Sequence, residues 1–427
     1  MCFRHIFIAA LDYYKWRRRS RRPVSRQKRV STIISIGARP NSSASGRVRN
    51  RVTVETSSES EPGSKSVQTT VRPSPTSRPP FVAAGAVTGI GSLPFTSVSA
   101  AIQSVAEFSP EVPFWPQLPQ LSPHESIVGQ GLALVKDFIE PRNEGYGYQV
   151  KEGQLDPLLA ALHGSNGELT PANAAGFHAF EEALSTGLFP SATAVKGQIE
   201  GPITLAAYLF HKGRPFLSDP ALFAALAFHV SQMTCWQIRR LQSAGLPVLF
   251  FIDEPALCLD AVVANSVSTV SSVSEDQRLQ ALGAILDDAR VRGAYAGLHC
   301  CAARPFERMF RAKPDIISFD AHEGLDLFFA DWHALDFVNQ GGTVAYGIVP
   351  TRPGLNVVDS ASIFVRWLKA ASLAGDPQKF AQRAMITATC GLGLLDPSAV
   401  AESFTVAHSI SKLIRSLAGS SETSPEE

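Results

Sequence analysis

Short apolar runs alternate with amphipathic stretches along most of the 427-residue chain, from Val87 onward. The runs end in Gly, Pro or polar residues, which is typical of buried strands that stop at a turn. The stretches between them repeat their apolar residues at helical spacing. We therefore predict eight strands, at residues 87–94, 112–119, 194–202, 247–255, 294–301, 315–321, 343–350 and 384–391.

Eight strands that alternate with helices predict an α/β fold of the (β/α)8 TIM-barrel type. Residues 81–420 would form this barrel. The run 112–119 contains three prolines, so we expect it to pair only in part. Residues 121–193 are too long for a simple connection and contain two helical patterns, which indicates a cap or lid over the barrel mouth.

The first 80 residues differ in composition from the rest. Residues 1–78 contain 17 Lys and Arg but four Asp and Glu, although the whole chain has a net charge of +1. Their Arg, Ser and Pro content predicts a disordered leader, since it offers little apolar surface to bury. Residues 421–427 are predicted to be a disordered tail. The leader fits a transit peptide, a basic segment that contacts nucleic acid or anionic lipid, or an extension without a role.

Six cysteines, two of them adjacent, are too sparse for the disulfide framework of a secreted protein. They indicate metal binding or catalysis in a reducing compartment. No apolar run reaches the roughly 18 residues of a membrane span. We therefore predict a cytoplasmic protein, or an organellar one if the leader is a transit peptide. The barrel is expected to have no nucleic-acid or membrane partner.

His299 and Cys301 follow the fifth predicted strand, and Cys390 ends the eighth. The carboxyl ends of all barrel strands lie on one face, so these side chains can meet. Imidazole and thiolate are ligands that zinc prefers, and three protein ligands leave one position for a substrate. The sequence therefore predicts a zinc site, with simple packing of the cysteines as the alternative. Strand alternation favours packing for Cys300, which remains the main competitor of Cys301 as a ligand.

A further ligand or orienting group is expected after the sixth strand. Asp320 ends that strand and could bind zinc directly or orient His299. His322 and Glu323 are close enough along the chain to replace it, and the alternative for both is a solvated loop.

Polar residues at the ends of other strands are candidate catalytic and substrate-binding groups. Asp253 and Glu254 end the fourth strand, where a carboxylate could pair with the ammonium group of an amino acid or instead cap the following helix. Ser92 lies at the end of the first strand and could hold a substrate carboxylate or form a tight turn. Gln117 and Glu200 end the second and third strands and are candidate substrate contacts, with packing or loop structure as the alternative.

The order of these motifs resembles a known family. Gly-Ser-Leu-Pro, Gln-x-x-Gly-Pro, Ile-Asp-Glu-Pro-Ala-Leu, His-x-Cys, Phe-Asp-Ala and Cys-Gly-Leu occur in the order of the C-terminal catalytic barrel of cobalamin-independent methionine synthase. The chain is more broadly similar to the superfamily that joins this enzyme with uroporphyrinogen decarboxylase. The likeness spans residues 87–416. The leader shows no pattern of the second barrel that helps hold folate in the full-length synthase, so we expect a short, single-barrel relative.

The resemblance also implies residue roles. It assigns zinc binding to three residues, His299, Cys301 and Cys390. It places Asp253 at the ammonium group of homocysteine and Ser92 near the carboxylate. The remaining zinc ligand of the family is a Glu after the next strand, where this chain has Asp320.

The function that the resemblance implies is zinc-dependent S-methyl transfer to a thiol, giving methionine from homocysteine in amino-acid biosynthesis. The methyl donor would be methyl-folate or a methyl-corrinoid protein. Two alternatives stay open. A decarboxylase of the uroporphyrinogen type would need arginines for several carboxylates, and Arg304 and Arg352 are the obvious candidates. A non-catalytic barrel that binds a metal or a thiol would keep the fold alone.

Overall fold

The computed structural model describes residues 79–143, 145–258, 273–351 and 359–419. The predicted leader up to residue 78 and the predicted tail lie outside these residues, as does Arg352. The Tyr295 hydroxyl donates to the Pro79 carbonyl at 3.0 Å, and the Thr343 hydroxyl donates to the Phe81 carbonyl at 2.8 Å. The chain is therefore attached to the main sheet from residue 79 onward.

Most of the predicted strands are confirmed. In chain order the strands are β1 Ala86–Val87, β2 Ile139–Pro141, β3 Tyr148–Val150, β4 Val195–Glu200, β5 Leu209–His211, β6 Arg214–Pro215, β7 Val248–Asp253, β8 Tyr295–Cys300, β9 Ile316–Asp320, β10 Thr343–Val349 and β11 Ala384–Ala388. A parallel, seven-stranded sheet has the order β1–β11–β10–β9–β8–β7–β4. These strands are buried along nearly their whole length, as in parallel sheets that are covered on both faces. The first predicted run pairs in this sheet only through the two residues of β1.

The proline-rich run 112–119 connects the two edges of this sheet without forming a regular strand. On one side, the Gln117 N–H donates to the Gly91 carbonyl at 3.1 Å, and on the other, the Lys196 N–H donates to the Pro113 carbonyl at 2.8 Å. Isolated parallel bridges occur at the same two places. The expectation of partial pairing is confirmed, since proline cannot donate to a ladder. The result is a TIM-barrel-like arrangement.

Helices follow the strands and cover the outside of the sheet. They are α1 Val98–Phe108, α2 Ile127–Gly131, α3 Leu155–His163, α4 Ala175–Ser185, α5 Pro202–Tyr208, α6 Pro220–Leu241, α7 Glu275–Val291, α8 Phe306–Arg311, α9 Ala321–Phe329, α10 Trp332–Asn339, α11 Ser360–Ala374, α12 Pro377–Gln382 and α13 Pro397–Ala418. The Asp219 carboxylate caps α6 by accepting from the N–H groups of Ala221 and Leu222. Asp396 precedes α13 but makes no side-chain cap. None of the helices in the described ranges has the length and apolar composition needed to cross a membrane.

The long insertion between residues 121 and 193 carries the two predicted helices as α3 and α4. Helix α3 packs against α6, and α4 packs against α1. Strands β2 and β3 of the insertion join β5 and β6 in a second sheet with the order β2–β3–β5–β6. The predicted role of this region as a lid stays a prediction.

Alternate residues of the parallel strands face the barrel interior. A compact apolar cluster there includes Ala86, Val112, Ala194, Leu249, Phe251, Ile316, Ala345 and Met385. Nearer the carboxyl ends of the strands, polar side chains replace apolar ones in one row. Glu200 pairs in register with Asp253, Asp253 with His299, and His299 with Ser318. Residues in register point to the same side of a sheet, so this row faces the barrel mouth.

Candidate metal centre

Three of the predicted ligands form one group. A ligand atom of each of His299, Cys301 and Cys390 lies within 4.8 Å of the others. His299 is in β8, Cys301 follows its last residue, and Cys390 comes two residues after β11. His299 and Cys301 are each only 3% exposed. The predicted meeting of these side chains at the carboxyl ends of the strands is confirmed, and the group could hold a metal ion.

The orientation of the His299 ring fits metal binding. Its Nδ1 atom lies 2.9 Å from the Ser318 hydroxyl oxygen. Its Nε2 atom is buried and has no hydrogen-bond partner in the described part of the chain. A proton on Nδ1, donated to Ser318, leaves the lone pair on Nε2 for a metal. Sequence reasoning missed Ser318, although its position two residues before Asp320 on the same strand face was a usable signal.

Two carboxylates lie in the same row as His299. Asp253 Oδ1 and Glu200 Oε1 are both buried and lack a hydrogen-bond partner among the described residues. Burial raises the pKa of Glu200 well above its usual value, and the nearby charges of Asp253, Glu254 and Cys390 add to this. Burial also raises the pKa of Asp253. Buried carboxylate oxygens without partners are costly, so this region is suited to a ligand that brings a positive charge or hydrogen-bond donors to these two atoms.

Lys196 is a buried cation near Asp253 that the sequence analysis did not identify. It is 2% exposed, and its Nζ donates to the Ile90 carbonyl at 2.6 Å and to Gln198 Oε1 at 3.0 Å. Burial lowers the pKa of Lys196, while the charge of Asp253 opposes this shift. The ammonium group therefore joins the end of the first predicted strand to Gln198 and lies near enough to Asp253 for the two charges to affect each other's pKa. Its signal was a lysine inside an apolar strand, four residues before Glu200 on the same face.

Glu254 has a different environment from Asp253. Its carboxylate accepts hydrogen bonds from the N–H groups of Ile203 and Thr204, at 2.8 and 2.9 Å, and from the Thr204 hydroxyl at 2.6 Å. These contacts hold the first turn of α5, which lies about 50 residues before Glu254 in the chain, whereas the capping alternative placed the carboxylate at the following helix. Burial raises the pKa of Glu254 to about 7, and the hydrogen bonds from Thr204 and Ile203 oppose this shift. Its predicted catalytic role stays a prediction.

The group of three does not include the candidates that follow β9. Asp320 Oδ1 accepts from the Glu323 N–H at 3.1 Å and so begins helix α9. The His322 carbonyl accepts from Arg366 at 2.7 Å. Within the described ranges, the metal-binding group leaves out Asp320, His322 and Glu323. A role for Asp320 as a ligand stays a prediction.

Ser92 lies against the loop that carries Cys390. A Cβ atom built on Gly391 would lie 2.0 Å from the Ser92 hydroxyl oxygen, so this close approach requires glycine. The Gly393 N–H donates to the same hydroxyl at 3.4 Å. Gln117 forms a bridge with Ser92 and donates through Nε2 to Gln130 Oε1 at 2.8 Å. Both predicted substrate contacts therefore border the region of the metal-binding group.

Tyr208, the last residue of α5, also belongs to this region and was missed. Its hydroxyl is buried and has no partner among the residues that the structure describes. Burial raises its pKa, and the nearby charges of Glu200 and Cys301 contribute to the shift. Nothing in the helical pattern of 202–208 distinguished this tyrosine from a packing residue.

Comparisons with known proteins add little. No protein-family model matches the chain, and no curated protein matches it. Among solved structures, the chain is similar to a D-psicose 3-epimerase at 13% identity, covering 61% of this chain and 88% of that chain, with a TM-score of 0.35. It is similar to a fungal beta-1,4-galactanase at 14% identity, covering 58% of this chain and 90% of that chain, with a TM-score of 0.33. It is also similar to 3-keto-D-glucoside 4-epimerase from E. coli at 10% identity, covering 64% of this chain and 98% of that chain, with a TM-score of 0.32. These scores are too low to support an inference about this chain.

Proposed function

We propose that the protein is a zinc-dependent methyltransferase that methylates a thiol, with homocysteine as the acceptor and methionine as the product. It would be a short, single-barrel relative of cobalamin-independent methionine synthase. The observation that carries this proposal is the group of His299, Cys301 and Cys390, whose ligand atoms lie within 4.8 Å of one another at the barrel mouth. The buried, unpartnered Nε2 of His299 supports this proposal, because a bound ion would give that atom a partner.

The donor set fits zinc. One imidazole and two thiolates are the soft and borderline ligands that this metal takes, and three protein ligands are typical of catalytic sites. Bound zinc would hold a substrate thiol as thiolate at neutral pH, where a free thiol of pKa about 8.5 is mostly protonated. Ser318 would fix the tautomer and the plane of the His299 ring.

The carboxylates next to the group suit an amino-acid thiol. Asp253 and Glu200 would bind the substrate ammonium, which would supply the positive charge and the donors that both buried oxygens lack. Ser92 would hydrogen-bond the substrate carboxylate from across the mouth. Lys196 would keep the local charge balanced when Asp253 is ionised. The donor stays open between methyl-folate and a methyl-corrinoid protein.

The alternatives have less support. A decarboxylase of the uroporphyrinogen type needs several cations around its substrate, whereas Arg304 is exposed and the row at the mouth offers acids. A non-catalytic barrel would keep the metal group but would have no use for the unpartnered carboxylate oxygens of Asp253 and Glu200 beside it.

The test is methyl transfer to homocysteine from methyl-folate and from methylcobalamin, measured together with zinc content. We expect wild-type protein to hold one zinc and to form methionine from at least one donor. Cys390→Ala should lose zinc and activity together, and Cys235→Ala, in helix α6, should keep both. Activity in protein stripped of zinc would contradict the proposal. A zinc-loaded protein that transfers no methyl group from either donor would favour the non-catalytic barrel.

A further inference from the structure

A second pair of thiols lies beside the metal group. The Sγ atoms of Cys258 and Cys300 are 3.5 Å apart. Cys300 stands between His299 and Cys301 in the chain and is fully buried. Cys258 ends the turn Pro255–Cys258 and is half-buried. The proposed methyl transfer uses neither thiol.

We propose that Cys258 and Cys300 form an oxidative modification site, where a hydroperoxide converts the two thiols into a disulfide that disturbs the adjacent metal group. The two sulfurs are already in contact, and an S–S bond of about 2.05 Å requires an approach of about 1.5 Å. No disulfide joins the cysteines that the structure describes. Disulfide formation itself does not depend on the proposed function, whereas its effect on the metal group rests on it.

The reaction has two steps. The thiolate of Cys258, the more exposed of the pair, attacks an oxygen of the hydroperoxide, and the O–O bond breaks. The leaving hydroxide or alkoxide takes up the proton that the Cys258 thiol released and departs as water or an alcohol. This gives a sulfenic acid on Cys258. The Cys300 sulfur then attacks the Cys258 sulfur, the S–S bond forms, and the S–O bond breaks. The hydroxyl leaves as water with the proton of Cys300, so two thiols lose two electrons and the hydroperoxide gains them.

The disulfide would displace the His299 backbone through two connections. Cys300 is covalently attached to His299, and the Glu254 N–H, at the start of the turn that carries Cys258, donates to the His299 carbonyl at 2.8 Å. Zinc–ligand distances tolerate changes of only about 0.2 Å. A shift of the size that the S–S bond requires is therefore expected to weaken zinc binding.

The experiment treats the full-length protein with hydrogen peroxide, once metal-free and once zinc-loaded, and maps the disulfide by peptide mass spectrometry. We expect a bond between Cys258 and Cys300 that dithiothreitol reverses. Zinc affinity should fall at least about ten-fold in the oxidised protein and recover on reduction. Cys258→Ser should keep its zinc affinity under the same treatment, and Cys235→Ser should respond as the wild type does.

Three results would overturn the inference in distinguishable ways. A map that shows Cys301 joined to Cys390, or sulfinic acids without a disulfide, contradicts the modification site. The expected disulfide with unchanged zinc affinity contradicts its effect on the metal group. A protein that forms this disulfide but binds no zinc in either state contradicts the proposed function and the effect on the metal, and still supports the modification site.

Discussion

A substitution at Ser318 tests most selectively whether this residue orients the His299 ring for metal binding. Replacing it with alanine removes the hydroxyl that lies 2.9 Å from His299 Nδ1. The substitution leaves His299, Cys301 and Cys390 in place. It removes the hydrogen bond that fixes the ring and its tautomer, so we expect the substitution to weaken zinc binding without removing a ligand.

The size of the effect follows from burial. His299 is 3% exposed and Ser318 is 1% exposed, so water does not readily replace the lost hydroxyl. Partners of this kind contribute about 10–100-fold to metal affinity, or roughly 1.4–2.7 kcal/mol. We expect Ser318→Ala to fall in the upper half of that range, about 30–100-fold, because the imidazole would then keep an unpaired Nδ1 in the interior.

The assay is competition for zinc against a chelator of known affinity, at one fixed pH. Thr387→Val is the matched control, because the Thr387 hydroxyl is equally buried in β11 and has no partner in the described part of the chain. It should leave zinc affinity unchanged. An affinity in Ser318→Ala within about two-fold of the wild type would refute the orienting role of the hydroxyl.

Three further predictions concern buried residues. Lys196→Met removes the buried ammonium that donates to the Ile90 carbonyl and to Gln198 Oε1, so the free energy of unfolding in urea should fall by about 1–3 kcal/mol. The exposed control Lys379→Met should change it by less than about 0.5 kcal/mol; equal effects would contradict the role of these hydrogen bonds. Gly297→Ala places a Cβ 2.6 Å from the Phe251 ring, so the free energy of unfolding should fall by about 1–3 kcal/mol. Gly283→Ala, in helix α7, is the control and should be neutral or stabilising. An unchanged melting temperature in Gly297→Ala would contradict this close packing. The folded-state pKa of Glu254 is raised from 4.5 to about 7, so its contribution to stability is present below pH 4.5 and is lost as the pH rises through 7. That loss is about 3 kcal/mol, so between pH 4.5 and 7 the unfolding free energy of Glu254→Gln should fall less steeply than that of the wild type. Parallel plots of unfolding free energy against pH for the two proteins would contradict this.

The fold could be predicted because parallel strands buried on both faces leave continuous apolar runs in the sequence. The run 247–255, which became β7, and the run 343–350, which became β10, are of this kind. The run 112–119 was harder, since its prolines prevent a regular ladder while its ends still bond to both neighbours. The small second sheet was not predicted, because its strands are two or three residues long and carry no period.

The metal-binding group could be predicted because its residues stand at strand ends, where the barrel brings distant parts of the chain together. The contacts around it could not. Ser318 and Lys196 lie inside apolar runs, and their partners depend on the register between strands, which the pattern of one strand does not contain. The partners of Glu254 belong to helix α5, some 50 residues away in the sequence, so its place at a helix start rather than in the mouth needed the folded chain.

The central claim is that His299, Cys301 and Cys390 hold a zinc ion with a position left for a substrate thiol. Zinc-edge X-ray absorption on the zinc-loaded protein, with and without homocysteine, tests it most directly. The account predicts two sulfur ligands and one imidazole from the protein, and a third sulfur when homocysteine is added. A site with two sulfurs that does not change on adding homocysteine, or one without sulfur ligands, would contradict it.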